Sequence, residues 1–255
     1  MYPVLFHIGT FEITSFGVMV AIAALVGITI FTRELRRGGW PEDAGNAAVI
    51  GVLGGLVGAK LIWSIEFAGT APFFDLLFSR GGLSWFGGFA GGLTAGLIAL
   101  RQYRVPLISG LAAATPALAV GHAIGRIGCF LVGDDYGKPS DLPWAVAFPK
   151  GLPPTNVPVH PTQLYEMFAL GIVAWLLFRW RRRRVADQLV LARYLMLAGA
   201  VRFAIEFVRI NRQILGPLTL AQLWSLGLVA SGLILAASRS RSPQDRPNRT
   251  RPRTA

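Results

Sequence analysis

The sequence predicts an all-α, polytopic integral membrane protein with about seven transmembrane helices, and three observations carry that prediction. Of 255 residues, 53% are hydrophobic and 15% charged, whereas soluble domains carry about a quarter charged residues; mean hydropathy is +0.51. The apolar residues fall in seven long runs, each near the ~20 residues needed to cross ~30 Å of hydrocarbon. Basic residues cluster after every second run, as they do in cytoplasmic loops. One membrane domain, residues 1–238, accounts for nearly the whole length. The remainder, 239–255, is a basic tail rich in Ser, Pro and Arg, expected to be disordered and to anchor the topology, with contact to anionic lipid as the alternative.

The runs cover residues 13–32, 44–65, 83–100, 107–131, 161–178, 189–208 and 218–237. The third and fourth contain many glycines and Pro116, which a helix bundle tolerates where neighbours re-satisfy the backbone. Small residues at 51–58 and 87–92 predict close helix approach. No Lys or Arg precedes the first run, so it is expected to be a permanent span and not a cleaved signal peptide. If the spans alternate, Arg33, Arg36, Arg37, Arg101, Arg104, Arg179, the run 181–184 and the tail arginines share one side. The other side has only Arg80, Lys138, Lys150, Arg209 and Arg212. The positive-inside rule then puts the N-terminus outside and the C-terminus in the cytoplasm. The net charge of +12 is explained by these loops, so no nucleic-acid partner is expected. The single cysteine, Cys129, excludes an internal disulfide.

Ionisable residues inside spans are costly and mark functional sites. Here they are Lys60, Glu66, His122, Arg126, Glu166, Arg193, Arg202 and Glu206. The orientation puts all but Arg193 in the outer halves of their spans, while Arg193 is expected to snorkel to the cytoplasmic surface. Asp134 and Asp135 follow the fourth span directly. His122 with Arg126, and Arg202 with Glu206, are i,i+4 pairs sharing a helix face. Two readings follow: ion pairs that hold helices together, or a partly wet pocket for an anionic headgroup. The second is favoured, since charges from four spans would otherwise have to cancel neatly, and the arginine fork binds phosphate bidentately. Within residues 125–137, Gly125, Gly128 and Gly137 allow close backbone approach beside Arg126, Asp134 and Asp135. The Pro-rich external segment 133–160 is long for a structureless loop, which hints at function. Trp63, Trp85 and Trp144 read as interfacial or packing residues.

Five motifs in order are similar to those of the bacterial prolipoprotein diacylglyceryl transferase family. They are GGLVGAK at 54–60, GGLSWFGG at 81–88, GRIGCFLVGDDYG at 125–137, HPTQLYE at 160–166 and RFAIEFVR at 202–209. The resemblance covers nearly the whole chain. It implies transfer of the diacylglyceryl group of phosphatidylglycerol to the thiol of a lipobox cysteine in a preprolipoprotein signal peptide. The products would be a thioether-linked lipid and glycerol phosphate, and this would be the first step of lipoprotein maturation. It further implies a multi-pass enzyme of the bacterial cytoplasmic (inner) membrane, surrounded by membrane lipid, with its site towards the outer leaflet and no metal or organic cofactor. The family's essential arginine falls on Arg126, its second key arginine on Arg202 with Glu206 as pair, its final signature glycine on Gly137 and its acid on Asp134. The sequence departs from the family at Cys129 and Val132, where asparagines are usual, at Phe86 for a histidine and at Phe16 for a tyrosine.

These readings give a candidate site. Arg126 and Arg202 would hold the phosphate, with Glu206 orienting Arg202. Gly125, Gly128, Cys129, Gly137, Lys60 and Glu166 would line the lipid-binding pocket. With Phe86 unable to accept a proton, the base is expected to be His122, His160 or Asp134. Tyr165 and Glu166 would brace the pocket with Gln163, and Cys129 is expected to be a packing residue. A relative with a changed lipid acceptor, or a small transporter, remains as an alternative; against the transporter, no inverted repeat is visible and the charges sit on one side.

Overall fold

The computed structural model describes residues 2–9, 11–79 and 81–238. The expected basic tail, 239–255, and Arg80 lie outside the described residues. Among the described residues, seven helices occupy the seven apolar runs: α1 (Ser15–Arg37), α2 (Asn46–Glu66), α4 (Trp85–Gln102), α5 (Leu107–Val132), α6 (Thr162–Arg182), α7 (Asp187–Glu206) and α8 (Leu220–Ala237). A short α3 (Phe73–Phe78) and a 3-10 turn (Glu42–Gly45) lie in connections. Five of the helices, α1, α2 with its preceding turn, α5, α7 and α8, are long and apolar enough to cross a membrane. The other two are more polar at their ends: α4 ends in Arg101 and Gln102, and α6 opens on Thr162 and Gln163 and closes on arginines. The chain is thus a mostly helical, multi-pass membrane protein.

The connections also hold three two-stranded antiparallel ribbons that the sequence reading did not anticipate. They are β1 (Val4–Ile8) with β2 (Phe11–Thr14), β3 (Val146–Phe148) with β4 (Thr155–Val159), and β5 (Gln213–Leu215) with β6 (Leu218–Thr219). The β3–β4 ribbon lies within the Pro-rich segment 133–160, which is therefore partly regular structure and not one long structureless loop.

Helices pack where small side chains let them. Helices α2 and α4 meet along glycines: a Cβ at Gly58 would strike the Gly87 carbonyl oxygen, and one at Gly91 would strike that of Gly54. This is the backbone-to-backbone approach expected of membrane helices rich in small residues. Helix α5 is central, packed against α1, α6 and α7. One core joins Phe31, Leu35, Ala99, Leu100 and Ala113, and a second joins Ala119, Val173, Leu177, Val190 and Leu191.

Two helix ends set up the site. Helix α5 stops at Gly133, whose φ of 77° is left-handed and whose N–H donates to the Cys129 carbonyl at 2.8 Å. Glycine is suited to that turn because it has no Cβ to clash. Helix α8 begins with a capping box: Thr219 Oγ1 accepts from the Gln222 N–H at 3.3 Å, and Gln222 Oε1 accepts from the Thr219 N–H at 3.0 Å.

Candidate active site

The ends of α5 and α7, the start of α6 and the loop after α5 converge on one ionic cluster. Glu166, from the first turn and a half of α6 and fully buried, faces two residues of α5. Its Oε2 is 2.9 Å from Arg126 Nε and its Oε1 is 3.4 Å from His122 Nε2. On α7, Arg202 Nη2 is 2.8 Å from Glu206 Oε2. Glu206 is also buried and accepts from Thr219 Oγ1 at 2.7 Å and from Asn211 Nδ2 at 2.7 Å. The α8 cap residue thus fixes the α7 carboxylate as well as its own helix end.

The third arginine is Arg209, just past α7, and Asp135 ties it in. Arg209 Nη2 donates to Asp135 Oδ1 at 2.5 Å, and Arg126 Nη1 donates to Asp135 Oδ2 at 2.8 Å. One carboxylate therefore bridges guanidinium groups from two parts of the chain. Its direction is set by the loop. Asp135 has a φ of 59°, its carbonyl accepts from Thr162 Oγ1 at 2.7 Å, and the Asp134 carbonyl accepts from Gln163 Nε2 at 2.5 Å. Gly137 donates to the His160 carbonyl at 2.9 Å and pairs with Arg209 in a β-bridge. A Cβ there would strike His160 and Thr162, so Gly137 brings the loop against both the start of α6 and Arg209.

The two neighbouring acids are pushed in opposite directions. Burial lifts the Asp134 carboxyl above the ordinary carboxylate range, against a hydrogen bond from Cys129. Burial acts the same way on Asp135, but Arg209 and then Arg126 outweigh it and hold that carboxyl below the ordinary range. Asp135 is thus the ionised counter-charge of the arginines, while burial makes Asp134 the more readily protonated of the two.

Nine buried side-chain nitrogens and oxygens lack a hydrogen-bond partner among the described residues, and all nine belong to this cluster or its immediate support. They include Arg126 Nε, Arg202 Nη1, Arg209 Nε and Nη1, and both oxygens of Glu166. The Arg126–Glu166 contact has the distance of an ion pair without hydrogen-bond alignment. Native proteins leave few buried polar groups unpaired, so the concentration here points to a site that is completed by a ligand. Spare donors on Arg202 and Arg209, beside Arg126, suit an anion with several acceptor oxygens, such as a phosphate. Cys129, Asp134 and Asp135 also offer atoms within 4.8 Å of one another that could hold a metal ion. Both Asp135 oxygens are already taken by arginines, which supply the positive charge at that point.

The candidates from the sequence fall into three groups. Arg126, Arg202, Glu206, Glu166 and His122 come together. Cys129 stands at the edge, its sulfur 3.8 Å from Arg126 Nη1. Gly125 has open space where a Cβ would be. His160 lies in a different arrangement: its Nδ1 is 3.3 Å from the Tyr165 hydroxyl, which accepts from Trp144 Nε1 at 2.8 Å. Trp144 is thereby tied to the start of α6, so it is more than an interfacial residue. Gly128 serves helix packing, since a Cβ there would meet Phe16 and Met19 of α1.

Lys60 departs most from expectation. Its ammonium donates to the Ser79 carbonyl at 2.8 Å, Ser79 Oγ at 2.9 Å and the Gly81 carbonyl at 2.6 Å. Those three bonds use its three donors. Lys60 closes the α3–α4 connection onto α2, and it is corrected from headgroup ligand to loop clasp. Glu66, beside it, accepts from Ser84 Oγ at 3.1 Å. Arg193 lies over the Trp180 ring at 4.7 Å. Asp135, noted only as an acid after the fourth span, and Arg209, read only as a loop charge, were not placed in the candidate site. Arg202, Glu206 and Arg209 follow an i, i+4, i+7 stripe, which was the available signal for Arg209.

Beside the cluster, between α5 and α6, an apolar groove of about 430 Å³ is lined by Ala123, Met167, Phe168, Gly171, Ile172 and Trp175. Its first residues neighbour His122 and Glu166 in sequence. The fold thus places a lipid-sized apolar groove and a buried arginine cluster on the same two helices, α5 and α6, of a multi-pass membrane protein.

Comparison with known proteins narrows that class. The family model described as prolipoprotein diacylglyceryl transferase matches residues 3–238, and the chain belongs to this family. Among its relatives, a protein of Geobacter sulfurreducens is 33% identical over 254 residues, covering 94% of this chain and 95% of the relative. One of Methylococcus capsulatus is 32% identical over 252 residues, covering 92% and 94%. One of Clostridium tetani is 30% identical over 213 residues, covering 82% and 86%. All three are named phosphatidylglycerol–prolipoprotein diacylglyceryl transferase. Neither the transporter nor the changed-acceptor alternative is favoured by them.

Proposed function

We propose that this protein transfers the diacylglyceryl group of phosphatidylglycerol to the lipobox cysteine thiol of preprolipoproteins and releases glycerol phosphate. The observation that carries the reading is the convergence of Arg126, Arg202 and Arg209 with buried N–H donors left over. The family and the names of its relatives supply the chemistry to which that anion site would be put.

In this reading the phosphodiester sits against Arg126 and Arg202, and the acyl chains follow the α5–α6 groove. The thiol sulfur forms a bond to the glyceryl carbon, and the carbon–oxygen bond to the phosphate breaks. Glycerol phosphate leaves with one more negative charge than it had as a diester. Fixed cationic donors aimed at that developing charge are the largest catalytic contribution expected. The thiol proton goes to His122. Its Nε2 faces Glu166, which orients the ring, and its side chain is 46% exposed, so an incoming thiol can reach it. That geometry favours His122 over His160, whose ring is engaged with Tyr165. Asp134 accepts a hydrogen bond from the Cys129 thiol, which leaves it less free than His122 to take a proton.

The membrane arrangement belongs to the same proposal. Seven spans, α1, α2 and α4 to α8, would place the N-terminus outside and the C-terminus in the cytoplasm, with the cluster towards the outer leaflet of the bacterial inner membrane. Arg179 and 181–184 would then face the cytoplasm, as the positive-inside rule requires. Residues 1–238 form the catalytic unit and 239–255 a topology anchor. Complementation of a transferase-depleted bacterium tests the function. Rescue is expected from the wild type and lost in the Arg126→Ala variant; equal rescue by both would overturn the reading.

A further inference from the structure

We propose that the cavity on the far side of Arg209 is a separate site for a phosphomonoester, into which the released glycerol phosphate passes. This rests on the transfer reading above and adds where its leaving group goes.

The cavity has a volume of about 510 Å³ and lies between the end of α7 and the β5–β6 ribbon. Lys138, Arg209 and Arg212 line it, with Glu206, Asn211 and Thr219. Arg209 is the buried part of the wall: its side chain is only 9% exposed, and Nε and Nη1 have no hydrogen-bond partner among the described residues. Lys138 is held over the cavity by its backbone N–H, which donates to the Val208 carbonyl at 2.8 Å. Its Nζ donates to the Phe207 carbonyl at 2.9 Å, which leaves two of its three donors for a ligand. Lys138 and Arg212 have no carboxylate within ion-pair distance among the described residues.

Charge separates this cavity from the Arg126–Arg202 site. There, Asp135, Glu166 and Glu206 cancel the guanidinium charge, so binding rests on directed N–H donors, which favours a dianion less than the cavity does. In the cavity the one acid, Glu206, is already engaged by Arg202, Asn211 and Thr219, so Lys138 and Arg212 are in excess. A phosphomonoester carries about −1.5 to −2 at neutral pH, and that excess matches it. Arg209 connects the two places, since its Nη2 holds the same Asp135 that holds Arg126. Cleavage of the diester raises the charge on the phosphate and shifts its preference from the balanced site to the cationic one.

The test is equilibrium binding of radiolabelled glycerol phosphate to the purified full-length protein in detergent, with glycerophosphoglycerol as the soluble diester. Saturable binding of glycerol phosphate is expected, weakened about ten-fold or more in Lys138→Ala/Arg212→Ala, a loss of about 1.4 kcal/mol per decade. The diester should lose less than about two-fold, since its site lacks these side chains. Arg212→Gln, at an exposed position, gives a second reading of the same effect should the double variant not fold. Unchanged binding of glycerol phosphate, or an equal loss for both ligands, would overturn the proposal; the latter would mean that the cavity reads the lipid headgroup. No turnover is involved, so the result is independent of whether transfer itself is observed.

Discussion

Helix α6 carries an ion cluster at each end, about 22 Å apart from Glu166 to Arg181, and the two are built differently. At the far end, Arg181 Nε donates to Glu34 Oε2 at 3.0 Å, its Nη2 donates to the Glu34 carbonyl at 3.2 Å, and its Nη1 donates to Asp187 Oδ1 at 2.5 Å. Arg37 completes the buried Glu34 at 2.5 Å. None of those atoms is buried without a partner. At the near end, nine buried polar atoms lack an aligned hydrogen bond, and Arg202 Nη1 and Arg209 Nη1 have no ion-pair partner either among the described residues. A fully connected polar network rigidifies a fold, whereas a partly satisfied one is costly. The contrast separates a cluster that joins α1, α6 and α7 from one arranged to receive something. Arginine–carboxylate pairs alone do not distinguish the two roles; the spare donors do.

Substitution can break this contrast from either end. The largest effect is expected at the near end. Arg126→Ala or Arg202→Ala should lower transfer by about 10³–10⁵-fold, the scale seen for arginines that act on phosphate charge in a transition state. The purified variants should still be monodisperse and folded. His122→Ala should lower the rate by about 10²–10⁴-fold, the usual range for a general base, while His160→Ala should remain within about ten-fold of wild type. Comparable losses for the two, in a lipobox-peptide assay, would remove the distinction drawn between their surroundings.

Arg181→Ala should produce the opposite pattern. Breaking a buried pair costs about 3–5 kcal/mol, so yield and melting temperature should fall while the folded fraction keeps its specific activity. A loss of activity without a loss of stability would show that the far cluster is not structural.

The smallest effects distinguish the adjacent acids. The depressed Asp135 carboxyl contributes stability above its ordinary value of about 3.9, and that contribution is lost as pH falls through the folded value. The raised Asp134 carboxyl has the reverse sign: it costs stability above its folded value, and the cost disappears below about 3.9. Asp135→Asn should therefore lower the melting temperature at neutral pH, and Asp134→Asn should raise it. Each shift should be about 2 °C or less, because Asp135 is near half-exposed and screened. Both should fade towards acid, as read by thermal unfolding in detergent between about pH 4 and 8.

The helices were legible because each is an apolar run of membrane-crossing length. Their ends were less so: α1 continues to Arg37, past the apolar stop at residue 32, because Leu35 packs in the core and the buried Glu34 is paired by Arg37 and Arg181. The ribbons were not legible, since strands of 2–5 residues carry too little alternation to register and depend on pairing. Arg126, Arg202 and Glu206 stood out as charges among apolar neighbours. Arg209 did not, because beyond the apolar run it looks like a loop charge that sets topology. The choice between Asp134 and Asp135 turns on a left-handed glycine at 133 and a φ of 59° at 135, and sequence spacing does not encode which acid then faces the arginines. Lys60 looked like part of the site because it is a charge inside a span; the carbonyls that satisfy it come from a loop some twenty residues on.

The most direct measurement is mass spectrometry of a lipobox peptide incubated with the purified protein and phosphatidylglycerol, with glycerol phosphate quantified in the same reaction. The wild type should give a diacylglyceryl thioether on the peptide cysteine and glycerol phosphate in equal amounts, and Arg126→Ala and Arg202→Ala should give neither. Release of glycerol phosphate without modified peptide, or full product from the arginine variants, would contradict the assignment of this cluster to that transfer.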